Sequence, residues 1–370
     1  MKGRALRHVQ KPAEQPHYPY LPKNKKKEMN SEIVRKRRVL IVGAGGFAGG
    51  WIVEEALRRG LEVWAGVRAS TSRKYLTDPR IKFVEFDFDD SASLASAMSQ
   101  ALPEGESWDW IVYNLGATKC LRFSDFNRIN YEYLRSFISV LKTTGKIPER
   151  LLYISSLSAV GPIAEADRHA ITERDIPQPN TRYGASKLKA EMLLQMEGIP
   201  FIIFRATGLY GPRDHDYFLM FESIGKGFDF SVGYRRQMLT FLYITDLARA
   251  IFDALEKAPT GETYNVAHPS AYSQKDFRRL ASEEMGKRFV MPVRVPLWGL
   301  KIVSAIAEKI GVAKGQPSTL NRDKYNIMAQ RNWSVDVEKA RRDFGFSPEV
   351  DLREGIRRSV DWYKKEGWLK

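Results

Sequence analysis

Apolar and polar residues follow two rhythms along this 370-residue chain. Residues 38–42 form a short apolar run that ends in the cluster Gly43-Ala44-Gly45-Gly46-Phe47-Ala48-Gly49. Residues 50–59 then set Trp51, Ile52, Ala56 and Leu57 at helical spacing and stop at Gly60. A strand-like alternation over 61–67 comes next, and the unit repeats. Strands are predicted near 82–86, 109–114, 150–155 and 200–204, with helices over 91–102, 125–145 and 181–197 between them. Short apolar strands alternating with longer amphipathic helices predict an α/β fold, a Rossmann-type doubly wound parallel sheet. After Arg205 the rhythm breaks. Residues 208–240 read as loop, a strand–helix unit over 240–255 and a strand over 262–266 rejoin the pattern, and 268–370 reads as mostly helical. The main sheet is therefore expected from 37–207 and 241–267. A smaller, mostly helical second region is expected from 208–240 and 268–370.

Charge changes the picture only at the amino end. The net charge of +15 suggests nucleic acid until it is located: residues 1–38 carry 12 Lys and Arg against 3 Glu. That stretch also holds Pro12, Pro16, Pro19 and Pro22 with little apolar periodicity, so residues 1–36 read as a disordered basic tail rather than a specific nucleic-acid binder. No run of 18 apolar residues predicts a spanning helix, and a secretory leader is not indicated. One cysteine, Cys120, excludes an internal disulfide and fits the cytoplasm. The five histidines show no ligand spacing, so no metal is expected.

The chemistry gathers at four places. Gly43, Gly46 and Gly49 lie between a strand and a helix, where glycines allow a tight turn, close backbone approach to a pyrophosphate and close helix packing. At the end of the second strand, Arg68, Arg73 and Lys74 stand where an acid would bind a ribose, which points to NADP(H) with NAD possible. Tyr183 and Lys187 are one helical turn apart, so the ammonium can favour the phenolate and let the tyrosine exchange a proton. Ser156 and Ser158 come directly after the fifth strand, at the carboxyl end where ligands bind.

In that order these residues resemble the extended short-chain dehydrogenase/reductase family, from about residue 38 to the end. The likeness extends over Phe47 and Ala48 in the glycine loop, Asp87-Phe88, Leu115-Gly116-Ala117 after Asn114, and Asn130. It continues through Phe204-Arg205 and Thr207 to Tyr210-Gly211-Pro212, and later Tyr243-Ile244-Thr245-Asp246. The resemblance implies catalysis by Ser156, Tyr183 and Lys187. It also implies dinucleotide contacts from the glycine loop, Asp87, Phe88, Leu115, Gly116, Ala117, Asn130 and Thr207. Sugar-nucleotide dehydratases of the family carry an acidic pair where this chain has Leu157 and Ser158, and sugar-nucleotide members carry asparagine where it has Gly208. The run from Arg205 to Asp214 is more similar to the 3-beta-hydroxysteroid dehydrogenase branch, and the Arg68–Lys74 cluster to dihydroflavonol-reductase-type members.

The expectation is an enzyme that transfers hydride to or from a carbonyl or secondary alcohol of an apolar small molecule. Lys119, Ser158, Gly208, His215 and Tyr217 are candidates for contact with it. The family resemblance also implies a homodimer. Residues 290–300 with Val303, Ile306 and Ile310 either line an apolar mouth, approach a membrane surface or pack the core. A nucleotide-sugar epimerase using NAD, and more remotely a non-catalytic dinucleotide sensor, are the alternatives.

Overall fold

The computed structural model describes residues 35–162, 169–316, 318 and 320–369. The expected basic tail lies outside the described residues except for its last two positions. The first part of the chain runs β1 (Arg38–Val42), α1 (Phe47–Arg58), β2 (Glu62–Val67), β3 (Lys82–Glu85), α2 (Ser91–Ala101), β4 (Trp110–Tyr113), α3 (Phe123–Asn127), α4 (Tyr133–Thr143), β5 (Arg150–Ser156), α5 (Arg182–Met196) and β6 (Phe201–Ala206). It continues with β7 (Gly208–Tyr210), α6 (Phe218–Gly225), β8 (Phe228–Val232), β9 (Phe241–Tyr243), α7 (Ile244–Lys257), β10 (Glu262–Val266) and α8 (Gln274–Glu284). The last elements are β11 (Met291–Val295), α9 (Leu297–Ala313), α10 (Arg322–Met328), α11 (Glu338–Phe344) and α12 (Leu352–Lys365).

Seven parallel strands form the main sheet in the order β3-β2-β1-β4-β5-β6-β10. Both faces are covered, which is why β1 reads as a continuous apolar run rather than an alternation. Val39 and Ile41 join a core with Ile52 of α1 and Ile251 of α7. Leu40 and Val42 join the opposite core with Leu94 of α2 and Phe137 of α4. Strand order reverses between β1 and β4, so the crevice for a ligand lies at their carboxyl ends. The last pairing of β4 with β5 joins Tyr113 to Tyr153, and β5 then runs on to Ser156, carrying that hydroxyl into the crevice.

Two sequence expectations need correction. The helix expected over 125–145 is interrupted by a π-helical turn over Arg128–Glu132, which separates α3 from α4 and holds the buried Asn130. The loop-like 208–240 stretch contains two short strands and a helix, with β7 pairing β9 and β8 pairing β11, both parallel. The 268–370 stretch is mostly helical as expected, with the short strand β11 between α8 and α9. A third core, rich in aromatic rings, gathers Tyr210, Phe221, Phe241, Phe277 and Tyr363. Tyr363 donates to the carbonyls of Gly211 (3.1 Å) and Asp214 (3.0 Å), so α12 fastens the loop beyond β7.

Candidate active site

The glycine loop leaves β1 and opens α1. Gly43 has φ +83°, a conformation that side chains resist. A Cβ on Gly49 would stand 2.2 Å from the Gly43 carbonyl oxygen, so helix and loop approach closely only because both are bare. No side chain caps α1 at Gly46. Ala48 is buried and Phe47 packs partly against the core. Uncapped amides at a helix N-terminus are a ready site for an anionic pyrophosphate. Across the crevice the hydroxyl of Thr207 is buried without a hydrogen-bond partner among the described residues. These features fit a dinucleotide.

Beyond β2 the cations diverge. Arg68 is exposed, and its amide donates to Thr71 Oγ1 at 3.1 Å. Arg73 is held by Glu85 and lies 4.4 Å from the Phe83 ring centroid, while Lys74 lies 5.0 Å from that of Tyr75. Thr71, which sequence reasoning did not single out, reaches the glycine loop: its Cγ2 lies 2.1 Å from where a Cβ on Gly45 would be. Asp87 is exposed and accepts from the Asp89 amide at 3.0 Å. Phe88 is instead a core residue, stacked on Tyr133 with centroids 5.3 Å apart.

The reacting residues sit on a scaffold of buried hydrogen bonds. Thr181 caps α5 by accepting from the Gly184 amide at 2.9 Å. Gly184 lets α5 meet the turn after β5, since its Cβ would fall 2.1 Å from the Ser158 carbonyl oxygen. That contact brings Tyr183 within hydrogen-bonding reach of the Ser156 hydroxyl. Ser156 Oγ also accepts from the Ser158 amide at 3.2 Å. Asp323 of α10 accepts from the Tyr183 amide at 3.1 Å, another contact with no warning in the sequence. Burial pushes the Tyr183 phenol above its ordinary value, and the Ser156 hydroxyl pulls it partly back.

Lys187 is buried, donates to the Ile154 carbonyl at 2.6 Å and lies 4.3 Å from the Tyr153 ring centroid. Burial pulls its ammonium down to about 7, opposed by the Glu191 carboxylate. Near neutrality this lysine carries only part of its charge, so its support of a tyrosine phenolate is weaker than the helical spacing suggested. Glu191 is itself tied to Arg205 of β6, at 2.7 Å in the closest contact, and to Ser155. A buried pair of this kind costs about 3–5 kcal/mol to break by removing one partner, so it locks α5 to β5 and β6. Asn130 adds a second lock. It accepts from the Ala117 amide (2.7 Å) and donates to the Ala117 carbonyl (3.1 Å) and to Ser186 Oγ (2.9 Å). Leu115 and Gly116 lie in the same loop, with Gly116 against Asn130 Oδ1 and Lys187 Nζ.

Of the residues suggested for substrate contact, Lys119, Gly208, His215 and Tyr217 are occupied by protein. Lys119 pairs with Asp216. His215 stacks on Trp368 with centroids 4.4 Å apart. Tyr217 packs on Tyr210 and Phe241, and its hydroxyl lies 2.1 Å from where a Cβ on Gly208 would stand. Asp214 is buried, which pushes its carboxyl up to about 6, and accepts from the amides of Asp216 and Tyr217 at 3.0 and 2.7 Å. Leu157 is buried and Ser158 half-buried. Cys120 is half-buried, and burial pushes its thiol up to about 11, so it is not a thiolate nucleophile at neutral pH.

Known proteins share this architecture. Residues 39–267 match the model of the NAD dependent epimerase/dehydratase family. The chain is 24% identical to the dTDP-glucose 4,6-dehydratase of Neisseria meningitidis, covering 88% of this chain and 93% of that one. It is 22% identical to the ceramide reductase of Caulobacter vibrioides over 90% and 96% of the two chains. The crystal structure of UDP-glucuronic acid 4-epimerase from Bacillus cereus in complex with NAD superposes with a TM-score of 0.71, at 19% identity over 89% of this chain and 99% of that one.

Proposed function

Because this chain belongs to the NAD dependent epimerase/dehydratase family, we propose that it is an extended short-chain oxidoreductase in which Tyr183 exchanges a proton with an alcohol or carbonyl oxygen. The observation that carries this is the Tyr183–Ser156 contact beside the buried Lys187, at the carboxyl end of β5. Residues 37–207 and 241–267 hold the dinucleotide, and 208–240 with 268–370 face the substrate. When bound, the nicotinamide supplies or takes the hydride. A phenol held above its ordinary value is protonated at neutral pH, which suits it to give a proton to a carbonyl oxygen during reduction. Ser156 donates to the same oxygen and fixes its distance from the phenol. Lys187 turns from the Ile154 carbonyl towards the ribose. NADP(H) is preferred over NAD, through Arg68 and the absence of an acid at the end of β2.

The named relatives weigh towards nucleotide sugars, and they favour an epimerase in which hydride leaves and returns to one substrate. Dehydration is the less favoured, since buried Leu157 offers no acid to a leaving hydroxyl. Site chemistry argues for a different substrate. Tyr217 fills the space beside Gly208, and Lys119 and His215 already have protein partners. We therefore read the substrate as apolar, a steroid-, flavonoid-, aldehyde- or ketone-like carbonyl or alcohol. Similarity to a ceramide reductase agrees with that class. Epimerisation of a nucleotide sugar stands as the second reading. A homodimer in the cytoplasm completes the proposal.

One experiment separates them. Purified protein is titrated with NADPH and NADH, then offered long-chain ketones and UDP-hexoses. Net NADPH consumption on an apolar ketone is the expected result. Protein that retains NAD and interconverts UDP-hexoses without net cofactor turnover establishes the epimerase instead. Dinucleotide binding with no turnover on either class leaves a sensor.

A further inference from the structure

Helix α9 is the least buried long helix of the fold. Of its 17 residues only Leu300 and Ser304 are buried. The opposite face sets Trp298, Ile302, Ile306 and Ile310 four residues apart, all exposed, with Trp298 70% exposed. Side chains at that spacing stack along one helix face. The face does not stand alone. The β8–β11 ribbon runs directly into α9, and its register sets Phe228 beside Met291 and Phe230 beside Val293. Phe228, Phe230 and Met291 are exposed as well, and the two phenyl rings stack with centroids 6.3 Å apart. An exposed apolar ribbon and an exposed apolar helix face thus follow one another along the chain, the kind of exposed apolar residues that mark an interaction site.

Its charge selects the partner. Between residues 289 and 314 the cations are Arg294, Lys301, Lys309 and Lys314, all exposed and without an ion pair among the described residues. The one acid in that interval, Glu308, is engaged with Arg322 and its backbone amide. Apolar side chains with unneutralised lysines among them, on a helix lying along the surface, are the chemistry of an interfacial helix. Lysine stems run along apolar surface while their ammonium groups reach phosphate. No helix of the described residues is long and apolar enough to cross a membrane.

We propose that α9 and the β8–β11 ribbon form a docking face for the surface of an anionic lipid bilayer, with Trp298 and Ile306 in the acyl boundary and Lys301 and Lys309 at the headgroups. The inference holds whichever substrate the active site takes. Its bearing on the site is positional: α9 packs against α10, whose Asp323 holds the amide of Tyr183.

Co-sedimentation of the full chain with phosphatidylcholine vesicles, with and without phosphatidylglycerol, tests it. Wild-type protein binds the anionic vesicles. The double variant Trp298→Ser, Ile306→Ser binds at least about tenfold more weakly, since two large apolar side chains no longer enter the boundary. Lys301→Gln with Lys309→Gln weakens binding roughly thirtyfold, at about 1 kcal/mol for each of the two lysines. The basic residues 1–34 are intact in every variant, so equal binding by wild type and the Ser double variant overturns the proposal. Absence of vesicle binding overturns it too, as does a dimer in solution that the double variant splits while vesicles leave wild type unbound. Quenching of wild-type fluorescence by brominated lipid, lost in Trp298→Phe, is expected and does not depend on how the double variant folds; quenching that survives in Trp298→Phe counts against the docking face.

Discussion

The two ends of the active-site crevice differ in how they treat polar groups. At the nucleotide end they are left open: α1 has no capping side chain, the Thr207 hydroxyl has no partner among the described residues, and Arg68 is exposed. At the substrate end the polar side chains are already consumed by protein, with Lys119 on Asp216, His215 on Trp368 and Tyr217 among aromatic rings. Leaving buried polar groups unpaired is costly, so the open end is made for a polar, anionic ligand. On the reading proposed above, the closed end would recognise its ligand with shape and apolar surface. If the proposed reading holds, the difference separates a cofactor held by its phosphates from a substrate that need not carry any.

Four measurements break or sharpen that contrast. The largest effect belongs to the junction of the two ends. Tyr183→Phe is expected to lower kcat about a thousandfold or more, while dinucleotide affinity measured by fluorescence titration stays within about twofold. Retained turnover would remove the tyrosine from the mechanism. Next is the pH dependence of stability. Lys187 releases its proton near pH 7 in the folded chain but near its ordinary 10.5 when unfolded. Between these values the unfolded chain binds more protons, so stability from this group rises as pH goes from about 7 to 10. The Tm difference between wild type and Lys187→Met should therefore shift in favour of wild type as the pH is raised.

At the nucleotide end, Arg68→Ser should weaken NADPH by about tenfold, the worth of one charge-assisted contact, and leave NADH nearly unchanged. Equal losses for both would take Arg68 out of cofactor selection. The smallest effect is expected at the substrate end. Lys119→Met should change kcat/KM by less than about threefold on an apolar carbonyl, because the ammonium is spent on Asp216. A loss of a hundredfold on a nucleotide sugar would mean that the pair opens to a diphosphate and that the closed end is not closed.

Much of the nucleotide end was legible in the sequence. Its logic is local: a strand, three glycines at fixed spacing and a helix occupy the 21 consecutive residues 38–58, and backbone approach needs nothing from elsewhere. Ser156, Tyr183 and Lys187 are singled out by their order along the chain. The effect of their surroundings on them was not visible. The depressed Lys187 ammonium results from burial among β5 side chains, and the Asp323–Tyr183 contact joins residues 140 positions apart. The π-turn over Arg128–Glu132 left no mark because a single five-residue turn between two α-helices is too short for its wider i to i+5 spacing to register in the apolar pattern. The ribbon strands β7, β8 and β11 were missed for another reason: at three to five residues each they are too short for alternation to register.

The chain leaves the main sheet after β6 and rejoins it only at β10, which pairs with β6 along its full length. During synthesis, β1 to β6 are complete about fifty residues before β10 emerges. Through that interval β6 is an apolar edge, with a row of amides and carbonyls open to any extended strand. Shortened chains that end between β6 and β10 keep the glycine loop, Ser156, Tyr183 and Lys187, yet they expose a template for aggregation. The nucleotide-binding half is therefore not a module that can be cut free of the carboxyl-terminal half. Its last strand is delivered by the segment that also builds the far side of the crevice.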